Sequence, residues 1–165
     1  MGETGVFAPD ERVELLDGEI YTTLPPSSKH AAWVDRVMKA LERVYGDCTT
    51  VLVQSLVGLA EDSAPEPDVA VLAPRNDFCE AELPGTQDVY LAVEISLSSL
   101  GYDRTTKLSI YARAGVPEVW IVNLDEHQLE VHCELVIGHY RVRLLVGLDE
   151  AVTPVAISNA SEIVF

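Results

Sequence analysis

Residues 89–97 read Val-Tyr-Leu-Ala-Val-Glu-Ile-Ser-Leu, and this stretch constrains the fold more than any other. Alternation places Val89, Leu91, Val93 and Ile95 on one face of a strand and Tyr90, Ala92, Glu94 and Ser96 on the other. Glutamate is a poor strand former, and burying its charge without a partner costs on the order of several kcal/mol. A second carboxylate repeats the problem. Asp68 follows Pro67 and opens the apolar run Val69 to Leu72. Two carboxylates on core strands require positive charge nearby. A divalent cation held by carboxylate, water and phosphate oxygens is one solution. A buried arginine or lysine is the other.

Around these strands the chain punctuates itself. Arg12 to Leu24 reads as two short strands joined at Asp17-Gly18 and ended by Pro25-Pro26. Ser27 or Ser28 can cap a helix in which Trp33, Val34, Val37, Met38, Leu41, Val44 and Tyr45 recur at helical spacing and Gly46 stops the run. Val51 to Leu59 and Val69 to Leu72 read as buried strands, and Pro74 to Asp88 as an acidic loop. Asp103 can cap a second helix with Leu108, Tyr111 and Ala112 facing inward, ended by Gly115 and Pro117. Glu118 to Leu124, Gln128 to Val136 and His139 to Leu145 read as three more strands. The expected fold is α/β (α+β): a mixed β-sheet flanked by two main helices, with an N-terminal β-hairpin and a C-terminal β-meander. A tail over residues 1–10 precedes a single domain over 11–165.

Charge bears on partners. Eleven basic residues against 27 acidic ones leave a net charge of −16, the reverse of a non-specific nucleic-acid coat. Glu61 to Asp88 is acid-rich with Arg75 as its one base, whereas Arg104, Lys107 and Arg113 have no acid between them. Cys48, Cys79 and Cys133 are odd in number and form no CxxC pair, which fits reduced thiols in the cytoplasm. No charge-free run approaches the roughly 20 apolar residues that span a bilayer, and no signal peptide is visible.

Lys107 joins the two carboxylates into a chemical set. It lies four residues after Asp103 and four before Tyr111, so a helix puts all three on one side, with Arg104 as the nearest competing cation. That side can fold back over the end of the Glu94 strand. Asp68, Glu94 and Lys107 then suit phosphodiester hydrolysis, in which carboxylates hold a metal and the lysine steadies water or developing charge. Repulsion between the two acids predicts that Asp68→Asn raises the melting temperature of the metal-free protein. His30, just inside the first helix, can reach a phosphate or serve as a surface cap, and Gln54 can face the site or satisfy the backbone. His127, His132, His139 and Cys133 have zinc-ligand chemistry but no closed ligand spacing.

Four stretches resemble the Uma-two family of restriction-endonuclease-like proteins, in the PD-(D/E)XK nuclease superfamily. They are Arg12 to Ile20, Glu66-Pro67-Asp68-Val69-Ala70-Val71, Val93-Glu94-Ile95-Ser96, and Asp103 to Lys107 followed by Tyr111 to Trp120. Together they cover the chain from about Glu11 onward, and Ala-Gly-Val-Pro-Glu-x-Trp is the most specific. The resemblance implies that Asp68 and Glu94 are catalytic and bind metal, and that Glu14 is an auxiliary metal ligand. It implies that Lys107 is the catalytic lysine, displaced to the helix because Ser96 fills the usual slot two residues after the second acid. It further implies Mg²⁺ or Mn²⁺ as cofactor, nucleic acid (DNA) as substrate, and a homodimer. The acidity favours an alternative: a nuclease-like fold without activity, kept as a binding or regulatory module.

Overall fold

Asp17 and Gly18 both adopt left-handed backbone, with φ of 51° and 80°. This turn closes an antiparallel hairpin of β1 (Val13–Leu16) and β2 (Glu19–Thr22), as Asp-Gly should. The computed structural model describes residues 12–23, 25–46, 48–77, 79–157 and 160–165. The expected 1–10 tail lies outside that set.

Ser27 caps α1 (Ser28–Tyr45), its hydroxyl accepting from the His30 amide at 3.2 Å. Val34, Val37, Leu41 and Tyr45 form the buried face of this helix. Gly46 ends it for a different reason from the one expected. Its φ of −55° is ordinary, but a Cβ there would lie 2.5 Å from the Glu42 carbonyl oxygen.

A six-stranded sheet comes next, in the order β3-β4-β5-β6-β7-β8. Its strands are β3 (Thr50–Val53), β4 (Val69–Leu72), β5 (Val89–Ser96), β6 (Val119–Asn123), β7 (Gln128–Val136) and β8 (His139–Gly147). Only β5 and β6 pair in parallel, joined by the crossover that carries the second helical segment. Strand β3 is shorter than Val51 to Leu59 because Gln54 turns left-handed, at φ 45°. Leu91, Val93 and Ile95 pack with α1, while Ala92 joins Ile110 and Tyr111 on the opposite face. A register shift between Val71 and Leu72 sends Val89 to that second cluster instead of the first.

The helical segment begins earlier than Asp103. It runs as α2 (Leu100–Tyr102), a π-turn (Asp103–Lys107) and α3 (Leu108–Ala114), ending at Gly115 with φ 96°. Asp103 is therefore an interior residue and not an N-cap. Beyond β8, Val152, Ile157 and Ile163 cover the α1 side of the sheet. Glu118 anchors this segment, accepting from the amides of Val155 at 2.7 Å and Ala156 at 2.8 Å. Among the described residues no helix is long and apolar enough to cross a membrane.

Candidate active site

The hairpin, the start of α1, the ends of β4 and β5, and the π-turn meet around a cavity of about 440 Å³. Glu14, His30, Gln54, Asp68, Glu94, Asp103 and Lys107 all line it. Each arrives for a local reason. Alternation on β1 turns Glu14 inward with Leu16. The left-handed bend at Gln54 swings its amide to within 3.3 Å of Asp68. The π-turn, a helix form found mostly as single widened turns at functional sites, buries Asp103 and Lys107 together.

Lys107 occupies the middle. Only 6 % of it is exposed. Its ammonium lies 2.8 Å from Glu14 Oε1 and 3.1 Å from each Glu94 oxygen, and it donates to the Glu66 carbonyl at 3.2 Å. Burial works against its charge, but Glu94 and Glu14 outweigh that and hold its pKa above the ordinary lysine value. The counter-charge that Glu94 requires is thus a lysine. Glu14 Oε1 also accepts from the Glu66 amide at 2.7 Å, and Tyr111 donates its hydroxyl to Glu94.

Asp68 faces a different set of partners. Its carboxylate accepts from the Ile95 amide at 2.9 Å and meets His30 Nε2 at 3.0 Å. Burial alone would raise its pKa, yet the His30 contact, the Ile95 amide and the Lys107 charge bring it below the usual aspartate value. Glu94 goes the other way. Burial, with the charges of Asp103 and Asp68, lifts its pKa well above the ordinary carboxylate value despite Lys107. Burial also raises Asp103, which accepts from Ser96 and, at 2.7 Å, from Ser99. The partners of Asp68 stabilise its carboxylate overall, which runs against the expected rise in melting temperature for Asp68→Asn. Ser96 and Ser99 hold the Asp103 carboxylate.

Other residues complete the wall. Arg12 pairs with Glu66 through its Nε at 3.0 Å, and Thr23 and Tyr102 close one side. No periodicity or motif singles out Arg12, Thr23 or Tyr102. They are missed because the hairpin's docking is a tertiary event. Thr23 Oγ1, His30 Nδ1 and Tyr102 Oη are buried without a hydrogen-bond partner among the described residues. All three belong to this one cavity. Buried polar groups are otherwise nearly always paired, so three such atoms on residues around one cavity set it apart.

The remaining candidates lie elsewhere. Arg104, the competing cation on the π-turn, reaches Glu130 at 2.8 Å through Nε. His132 rests against the same Glu130 at 3.3 Å, while Cys133 faces the α1 core. Among the described residues no three His, Cys, Asp or Glu side chains converge as a ready-made metal cluster.

Comparison with known proteins places this geometry. The family model Uma2, described as "Putative restriction endonuclease", matches residues 3–160. No curated protein matches the chain. Among solved structures, that of "a putative nuclease belonging to DUF820" from Anabaena variabilis aligns with a TM-score of 0.67 at 15% identity, covering 91% of this chain and 85% of that one. At that identity the likeness is one of fold.

Proposed function

The chain belongs to the Uma2 family, and on that premise we propose that its cavity is the active centre of a metal-dependent endonuclease that hydrolyses phosphodiester bonds, with DNA as substrate. The observation that carries the proposal is the convergence of Asp68, Glu94 and Lys107 on one cavity with three unsatisfied polar atoms. The donor chemistry suits Mg²⁺ or Mn²⁺. Glu14, Asp68, Glu94 and Asp103 bring four carboxylates to a cavity whose one buried ammonium is Lys107. Hard oxygen donors in excess of positive charge are what a divalent cation takes, with water and phosphate oxygens filling its other positions.

Asp68 and Glu94 would hold the ion. Glu14 stands as a further carboxylate donor through Oε2, its Oε1 being engaged by Lys107 and the Glu66 amide. When bound, the cation would polarise a phosphate oxygen and acidify water. The chain's own residues do the rest. The Ile95 amide, His30 and Gln54 fix the Asp68 carboxylate. Glu14, Glu94 and the Glu66 carbonyl fix the Lys107 ammonium, a preorganised positive charge for the phosphate as negative charge develops on it. Tyr102, His30 and Thr23 offer free polar atoms to bind and orient the substrate.

The proposal includes one domain over 11–165, a cytoplasmic setting that suits three free cysteines, and a homodimer. Edge strand β8 supports the dimer, since it leaves Leu144 and Leu145 more than half exposed. Light scattering that gives a strict monomer at high micromolar concentration would remove that part. The net charge of −16 favours a second reading, a binding module without activity.

Cleavage of labelled DNA and RNA, single- and double-stranded, with Mg²⁺ or Mn²⁺ decides between them. Wild type should cut at least one substrate, and Asp68→Ala, Glu94→Ala and Lys107→Met should each abolish cutting. Binding without cleavage by wild type would favour the module. Full activity in Lys107→Met would remove the lysine's role.

A further inference from the structure

Against 27 acids the chain carries eleven lysines and arginines. Among the described residues, eight of them lie within 4.0 Å of a carboxylate. The other three are Lys29, Arg36 and Arg43, all exposed and all on α1. They are seven residues apart. Seven steps fall only about 20° short of two helical turns, so the three line up at intervals of about 10.5 Å. Asp35 and Glu42 of the same helix occupy another flank, and Asp35 is paired with Lys39 at 2.6 Å. Arg36 rests over the Trp33 ring, 4.6 Å from its centroid, which steadies its guanidinium without neutralising it.

In so acidic a chain, it is a marked arrangement that every base without a carboxylate partner among the described residues falls on one helix edge. The line begins beside the cavity, since Lys29 adjoins His30 and Ser27, both of which line it. We propose that Lys29, Arg36 and Arg43 form the track along which the phosphate backbone of a nucleic-acid strand docks as it enters the cavity. The inference rests on the reading of that cavity as a nucleic-acid site. Three cations at intervals of about 10.5 Å give a strand laid along α1 repeated phosphate contacts over about 21 Å. The field of the whole molecule repels polyanions, which makes a local line of exposed cations the feature that sets where a strand lies.

Fluorescence anisotropy tests this on the intact protein without divalent metal, using a labelled 20-nucleotide single strand and its 20-base-pair duplex between 50 and 200 mM salt. The triple variant Lys29→Ala/Arg36→Ala/Arg43→Ala should bind on the order of 100-fold more weakly at low salt, with a salt slope smaller by about 2 to 3. Its melting temperature should match wild type, because all three side chains are exposed. Wild-type affinity and slope in the triple variant would overturn the track and leave the nuclease reading intact. Binding that depends on the stripe, in a wild type that cuts nothing, would uphold the track and defeat the nuclease. Failure of wild type to bind either probe at 50 mM salt would overturn the track. So would a triple variant that binds normally but dissociates in light scattering, which would assign the stripe to an acidic face of a second copy.

Discussion

Glu94 and Glu130 are both buried glutamates on sheet strands, and their surroundings push them in opposite directions. Glu130 on β7 sits between two cations, Arg104 at 2.8 Å and Arg143 at 3.1 Å, with the His132 ring at 3.3 Å. Burial would raise its pKa, but the hydrogen bonds from Arg104 and Arg143 hold it below the ordinary value. Glu94 shares one ammonium with Glu14, and burial, with Asp103 and Asp68 nearby, raises its pKa. One helical segment supplies both sites, giving Arg104 to one and Lys107 to the other. A carboxylate with its charge fully answered is a structural pin. A carboxylate in surplus, beside unsatisfied polar atoms, is built to receive something.

The hardest way to strain that contrast is Lys107→Met. It leaves Glu14 and Glu94 buried without their shared cation, and urea unfolding at neutral pH should show a loss of about 3–5 kcal/mol. Adding Glu94→Gln should recover part of it, since one of the stranded charges is then gone. A single mutant as stable as wild type would show that the cluster is neutralised in some other way.

Next in size is the same substitution made in both places. Glu130→Gln should cost about 1–3 kcal/mol, moderated because Arg104 and Arg143 are partly exposed. Glu94→Gln in the metal-free protein should stay within about 1 kcal/mol of wild type, as it removes a charge already in excess. Equal losses would erase the distinction.

Acid sharpens it. The pKa of Glu130 is depressed in the folded state, so its stabilisation is present above the unfolded glutamate value of about 4.3 and disappears as pH falls through the folded value. Stability measured from pH 6 down to pH 3 should therefore fall more steeply in wild type than in Glu130→Gln. Parallel curves would count against the pin.

The smallest effect concerns Gln54. A left-handed non-glycine residue stores about 1 kcal/mol of strain. Gln54→Gly should raise stability by up to about that amount while lowering cleavage, because Asp68 loses a hydrogen-bond donor.

The residues also show where sequence reasoning reaches and where it stops. Asp17-Gly18, the α1 face and the β5 alternation were legible because each is encoded by a local pattern. The bend at Gln54 and the start of the second helix before Asp103 were not, since tertiary contacts override local preference at both. Asp68 and Glu94 could be nominated as carboxylates on apolar strands, Lys107 by its spacing from Asp103 and Tyr111, and Glu14 through the family resemblance alone. That Lys107 lies between Glu14 and Glu94, while Asp68 turns to His30, depends on how the hairpin docks. The Glu130 pin had a signal that went unused: Gln128, Glu130 and His132 share one strand face, opposite Arg143.

The π-turn also sets the phase of every helical residue beyond it. Each residue added to or removed from a helix rotates the downstream turns by about 100°. Winding Asp103 to Lys107 as ordinary α-helix, with no residue removed, would put one residue too many into the turn and rotate everything beyond it by about that angle. The rotation would then carry Ile110 and Tyr111 off the sheet and Lys107 away from its two glutamates. The locally regular helix is thus the wrong helix for this length of chain, and deleting Thr105 or Thr106, which lets the segment wind regularly while keeping that phase, should cost less than inserting a residue there.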